Sequence, residues 1–220
     1  MFNSKHTLTR NFTALLLFLL TALPAHGFDK LSEAQSWVYD TGHLANTSEG
    51  QSVRYVYTSS NTASSDTNDE ATLKIVKSGN EGRRDVELEF LTAERHLPLP
   101  EFTGYRGNPV IIAMLEHVAQ SIGAETGGGV LYFRNRIRDA LASDDVVIET
   151  GAARYADQEI STTTLTFSPF ANDTYLENES VFREAQFNIQ FSEQVPAGLV
   201  QIAILANTDD QTFNRILAIE

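Results

Sequence analysis

The sequence predicts an α+β protein: a curved antiparallel sheet of about eight strands with an inserted pair of helices packed on one face. Two long regions, before residue 92 and after residue 144, alternate apolar and polar residues with the period of half-buried strands. Between them, residues 108–143 switch to helical periodicity. The segment "AGLVQIAILAN" (197–207) is apolar on both faces, which marks a strand covered on both sides.

The chain opens with Lys5 and Arg10, then the apolar run Phe12–Leu23, then "PAHG" with Ala25 and Gly27 at small-residue positions. This pattern predicts a secretory signal peptide over 1–27 and a single α+β domain over 28–220. The run is shorter than the roughly 20 residues that span a bilayer. No integral membrane segment is therefore expected after cleavage, and the expected location is periplasmic or secreted. Cysteine is absent. That rules out thiol catalysis, a lipoprotein anchor and zinc–thiolate sites, and leaves the core alone to hold the fold.

Acidic residues number 29 against 16 basic ones, and Lys5 and Arg10 leave with the leader, so the mature charge is about −15. Such a surface repels nucleic acid and anionic lipid, and nucleic acid is excluded as a partner.

In the mature chain, "SVRYVYTS" (52–59) and "ATLKIVKS" (71–78) read as strands joined by a long polar loop, "SNTASSDTNDE" (60–70). "RRDVELEFL" (83–91) alternates cleanly, with Val86, Leu88 and Phe90 facing inward. Two prolines in "LPLPEFTGYRG" (97–107) exclude a central strand there. Helix 108–123 has Asn108 as cap, Pro109 in its first turn and Gly123 at its close. Its apolar stripe is Ile111, Met114, Leu115, Val118 and Ile122. A second helix over 126–143 places Val130, Phe133, Ile137, Ala140 and Leu141 on one face. Strands follow at 145–156, 159–170, 183–193, 197–207 and 212–220.

The second helix opens on Gly127, Gly128 and Gly129 and carries Arg134, Arg136 and Arg138. Glycines at a helix start expose backbone N–H groups, and Arg134 and Arg138 share one flank, so together they form a candidate anion-binding site. The alternative is structural: the glycines shape a turn, and the arginine stems cover the borders of a buried face. His96 in "TAERHLP" stands at an element end, where a general base is well placed. The acidic run "DTNDE" (66–70) lacks the glycine and distal glutamate of a calcium loop and reads as solvated. No metal, cofactor or serine-hydrolase motif occurs, so no cofactor or metal is expected.

The layout is similar to the half-open barrel of periplasmic lipoprotein carriers and related lipid-binding proteins. Three functional readings follow. The first is a non-catalytic, soluble, exported binding or accessory protein with an unknown protein partner or a small hydrophobic or anionic ligand. The second, which the resemblance implies, is a carrier whose Phe133, Phe187, Phe191 and Met114 line an open acyl-chain cavity. The third is a hydrolase-type enzyme around His96 or the arginine-rich helix, which requires His96 or His117 to meet a serine, threonine or carboxylate.

Overall fold

The computed structural model describes residues 30–220; the expected signal peptide lies outside them. Four strands come first: β1 (Ser52–Asn61), β2 (Ser64–Ser78), β3 (Arg84–Phe90) and β4 (Phe102–Tyr105). The helices α2 (Pro109–Thr126) and α3 (Val130–Ala142) follow. Five strands complete the chain: β5 (Val147–Tyr155), β6 (Gln158–Phe167), β7 (Gln186–Phe191), β8 (Leu199–Asn207) and β9 (Thr212–Ile219). A short helix, α1 (Glu33–Tyr39), precedes them all.

All nine strands belong to one open antiparallel sheet, in the order β4-β3-β2-β1-β9-β8-β7-β6-β5. The connectivity explains the helical layer. Two meanders, β1–β4 and β5–β9, join at the central β1–β9 pair. β4 and β5 are therefore the two opposite edges, and the chain between them must cross the width of the sheet. It does so as α2 and α3. The apolar stripe of α2 and Phe133, Ile137 and Leu141 of α3 are buried against the sheet in one continuous core. Val53, Tyr55, Tyr57, Leu73, Ile75, Val86, Phe187, Ile189 and Leu217 face them. A smaller cluster of Ile160, Val195 and Val200 packs with Ala153, Tyr155 and Ile219.

Three local expectations change. The stretch 60–70 is not a loop. β1 and β2 stay paired from Ser52–Lys74 to Asn61–Ser64, and only Thr62 and Ala63 make the turn. Its side chains are polar, exposed on β2 up to Asp66 and half-buried to buried at Thr58–Asn61, so backbone pairing holds it without an apolar alternation to reveal it. Gly123 does not end the first helix. α2 runs on to Thr126 and stops at Gly127, whose φ of +71° makes a left-handed cap. The proline segment 97–107 contributes the ninth strand, β4, at the sheet edge where prolines are tolerated.

Candidate functional site

The residues singled out in the sequence do not converge. Gly127 is the left-handed cap of α2. A Cβ on Gly128 would lie 2.6 Å from Phe133 Cε2, so this glycine lets the chain pass over a core ring. Gly129 caps α3 and has open space where a Cβ would stand. Arg134 makes a bidentate pair with Glu116 of α2, at 2.7 Å to each oxygen. That pair holds Glu116 below the ordinary carboxylate range despite partial burial. Arg136 turns the other way, to Asp173 at 2.9 Å. Arg138, largely exposed, reaches Asp139 at 3.2 Å.

Arg134 and Arg138 do flank one groove of about 420 Å³, walled by Tyr39, Ile112, Leu115 and Ile137. Its walls are apolar and Arg134 is already neutralised. Arg134 and Arg138 border this groove beside Ile137, and Gly127 and Gly128 each meet a local demand of the chain, a left-handed cap and a close pass over Phe133.

His96 is exposed, with Nδ1 3.3 Å from the Leu91 carbonyl. His117 hydrogen-bonds through Nε2 to the Tyr57 hydroxyl at 3.1 Å. Burial, and then the positive charges of Arg215 and Arg95, lower its pKa to about 4. Among the described residues neither imidazole has a serine, threonine or carboxylate as hydrogen-bond partner. The four side chains of the carrier reading, Phe133, Phe187, Phe191 and Met114, are at most 1 % exposed. Phe133 and Phe187 both pack edge-on against Phe170. Phe133, Phe187 and Met114 belong to the packed core, while Phe191, equally buried, borders two open recesses. "DTNDE" lies within β2, and Asp69 there accepts hydrogen bonds from Thr92 N–H, Thr92 hydroxyl and Arg95. Among the described residues no group of three or more His, Cys, Asp or Glu is placed to hold a metal ion. No described helix is long and apolar enough to cross a membrane.

A different place combines concavity, an accessible aromatic and polar groups, and it sits on α1. Ser32 and Gln35 form a reciprocal cap at the start of this helix, and the Ser32 hydroxyl also donates to the Leu141 carbonyl of α3. Ala34 and Val38 are buried, which turns Trp37, the single tryptophan of the chain, toward the sheet. The Trp37 ring stacks on Phe191 of β7 at 5.4 Å, and His43 stacks on the same Phe191 at 4.9 Å. His43 Nε2 lies 2.6 Å from the Trp37 carbonyl, which fixes Nε2 as the donor. Burial lowers the His43 pKa, so the ring stays neutral near pH 7.

Trp37 remains half-buried, and two recesses open on either side of the Trp37–Phe191 pair. One, of about 570 Å³, faces Thr150, Ser161, Thr163 and Gln194. The other, of about 450 Å³, faces Thr41, His43 and Asn46. Ser192 and Glu193 line both. The sheet explains why the first recess is open. Thr150, Thr163 and Phe191 form one row across β5, β6 and β7 and project from the helix-bearing face. Along that face of β6 the cover thins in sequence. Phe167 and Leu165 are buried, Thr163 is half-buried and Ser161 is exposed. Trp37, stacked on Phe191, borders the recess at this end.

The floor is held from below. Asn46 donates to the carbonyls of Glu193 and Val195 and accepts from Ala197 N–H. Ser192 hydroxyl accepts from Gln194 N–H, and the Gln194 side chain accepts from Ser161 N–H. Gly198, at φ +69°, lets His43 approach to 2.8 Å of where a Cβ would stand. The 192–198 turn is thereby fixed before any ligand arrives. Hydrophobic periodicity could not find this site, because its parts come from three separate segments. The legible signals were the Ser32–Gln35 capping box and the lone tryptophan.

The chain matches no protein-family model, and no curated protein matches it either.

Proposed function

We propose that this chain is a non-catalytic, exported binding protein whose ligand lies against Trp37, in the paired recesses between α1, the β5–β6 hairpin and the 192–198 turn. The observation that carries this reading is the accessible indole stacked on Phe191 in the open part of an otherwise packed face. A fixed aromatic platform with a few hydrogen-bonding groups around it is the usual chemistry of a small-ligand site. His96 and His117 bond to a carbonyl and a tyrosine hydroxyl, and Phe133, Phe187 and Met114 are buried in the core, which favours a site at Trp37 over the acyl-chain and hydrolase readings. Export rests on the leader pattern of residues 1–27, and periplasmic or secreted location follows from that pattern together with the absence of cysteine.

Native mass spectrometry of protein recovered from its own compartment tests the reading. A co-purifying small molecule retained by the wild type and lost from Trp37→Ala supports it. Retention by Trp37→Ala contradicts it.

A further inference from the structure

We infer that the Trp37 trough takes a neutral, hydroxyl-rich ligand, a short uncharged oligosaccharide lying across the indole. This rests on the reading above and adds the ligand class.

Charge makes the first cut. Among the described residues Glu193 is the only carboxylate side chain lining the two recesses, and burial lowers the pKa of His43 in the second. Among the described residues no Lys or Arg lines either one, and the Arg106 guanidinium behind Gly42 of the second recess lies 3.9 Å from the Asp40 carboxylate. A phosphate, sulfate or carboxylate ligand would meet no counter-charge there and one repelling carboxylate. The chain's formal charge of −13 acts in the same direction.

The polar lining makes the second cut. Thr150, Ser161 and Thr163 offer hydroxyls and Gln194 an amide, grouped on one side of Trp37. Each hydroxyl both donates and accepts, and so does the amide. A sugar hydroxyl has the same dual character, whereas a quaternary ammonium offers neither donor nor acceptor at its charged group and would leave most of these groups without a use. Glu193 adds an acceptor suited to a pair of neighbouring hydroxyls.

The aromatic makes the third. The apolar face of a pyranose, formed by its C–H groups, complements a half-buried indole flanked by hydrogen-bonding groups. The two recesses share Trp37, Phe191, Ser192 and Glu193, so a chain of more than one sugar can straddle the ring. The fixed 192–198 turn requires little ordering on binding.

The test is a titration of the full mature protein with neutral gluco-, manno-, galacto- and xylo-configured di- to tetrasaccharides, followed by Trp37 fluorescence and by calorimetry. A uronic-acid oligosaccharide and choline serve as the charged comparisons. The expected result is saturable binding of at least one neutral sugar, with an emission shift. Affinity should fall at least tenfold in Thr163→Val, which keeps the side-chain shape, and at least tenfold in Trp37→Ala by calorimetry. Binding of choline or of the uronic oligosaccharide in preference to every neutral sugar would overturn the ligand class while leaving Trp37 as the site. Sugar binding that survives both substitutions would overturn the Trp37 trough as the site, and with it the reading on which this inference rests. No binding by any neutral member at millimolar concentration would overturn the inference.

Discussion

Asp173 ties α3 to the segment that follows β6. Its side chain is fully buried and accepts hydrogen bonds from Tyr132 hydroxyl, Arg136, and the N–H groups of Tyr175 and Leu176. Burial alone would raise its pKa, but these hydrogen bonds outweigh it and hold the carboxyl below the ordinary value. Asp173→Ala leaves Arg136 and Tyr132 without their partner, and is expected to cost about 3 kcal/mol in urea unfolding. His117 has the complementary effect on pH dependence. Its folded value of about 4 lies below the unfolded 6.5, so the unfolded chain takes up the proton first. Its contribution is complete above pH 6.5 and is lost as pH falls toward 4, a change of about 3 kcal/mol. His43, also lowered by burial, acts in the same sense. Unfolding midpoints followed from neutral to acid pH should therefore decline through this window in the wild type. The decline should be shallower in His117→Gln, which keeps a hydrogen-bonding group for Tyr57. The depressed carboxylates, Asp173, Asp69 and Glu116, add a second loss below the ordinary carboxylate range.

At the scale of elements, the glycine triplet between α2 and α3 gives the sharpest expectation, because each glycine is there for a different reason. Gly128→Ala drives a methyl into Phe133 and Tyr175 and should cost about 2 kcal/mol. Gly127→Ala strains a left-handed cap and should cost about 1 kcal/mol. Gly129→Ala enters open space at an ordinary φ of −72° and should change stability by less than about 0.5 kcal/mol. Thermal or urea unfolding of the three variants tests that order. The same segment shows what a sequence reveals about elements. Both central helices were legible because Ile111, Met114, Val118, Phe133 and Ile137 recur at helical spacing and are buried. The β1–β2 tip was not, because Thr58–Glu70 carries no apolar alternation and pairs through its backbone. Seven-residue α1 is shorter than a periodic pattern needs, although its capping box was written in Ser32 and Gln35.

For the whole molecule, the crossing of α2 and α3 from one sheet edge to the other organises everything else. It closes a core beneath the helices, while Thr150, Ser161 and Thr163 of β5–β6 face a recess bordered by Trp37 of α1 and residues 191–194. The α+β class was legible from the order of strands, helices and strands. The site was not, since Trp37, Thr163 and Gln194 become neighbours only when β6, the 192–198 turn and the N-terminal helix meet. Export makes its own prediction: intact-mass measurement of the protein from its source should give a chain beginning at Phe28, and a retained leader would contradict it. The central claim, that Trp37 marks the binding surface, is tested most directly by the single indole N–H resonance of isotope-labelled protein, titrated with the low-mass fraction extracted from its native compartment. Binding at Trp37 requires that resonance to shift together with Thr150, Thr163 and Gln194. An unmoved indole, with shifts confined to the Arg134–Arg138 groove or absent altogether, would contradict it.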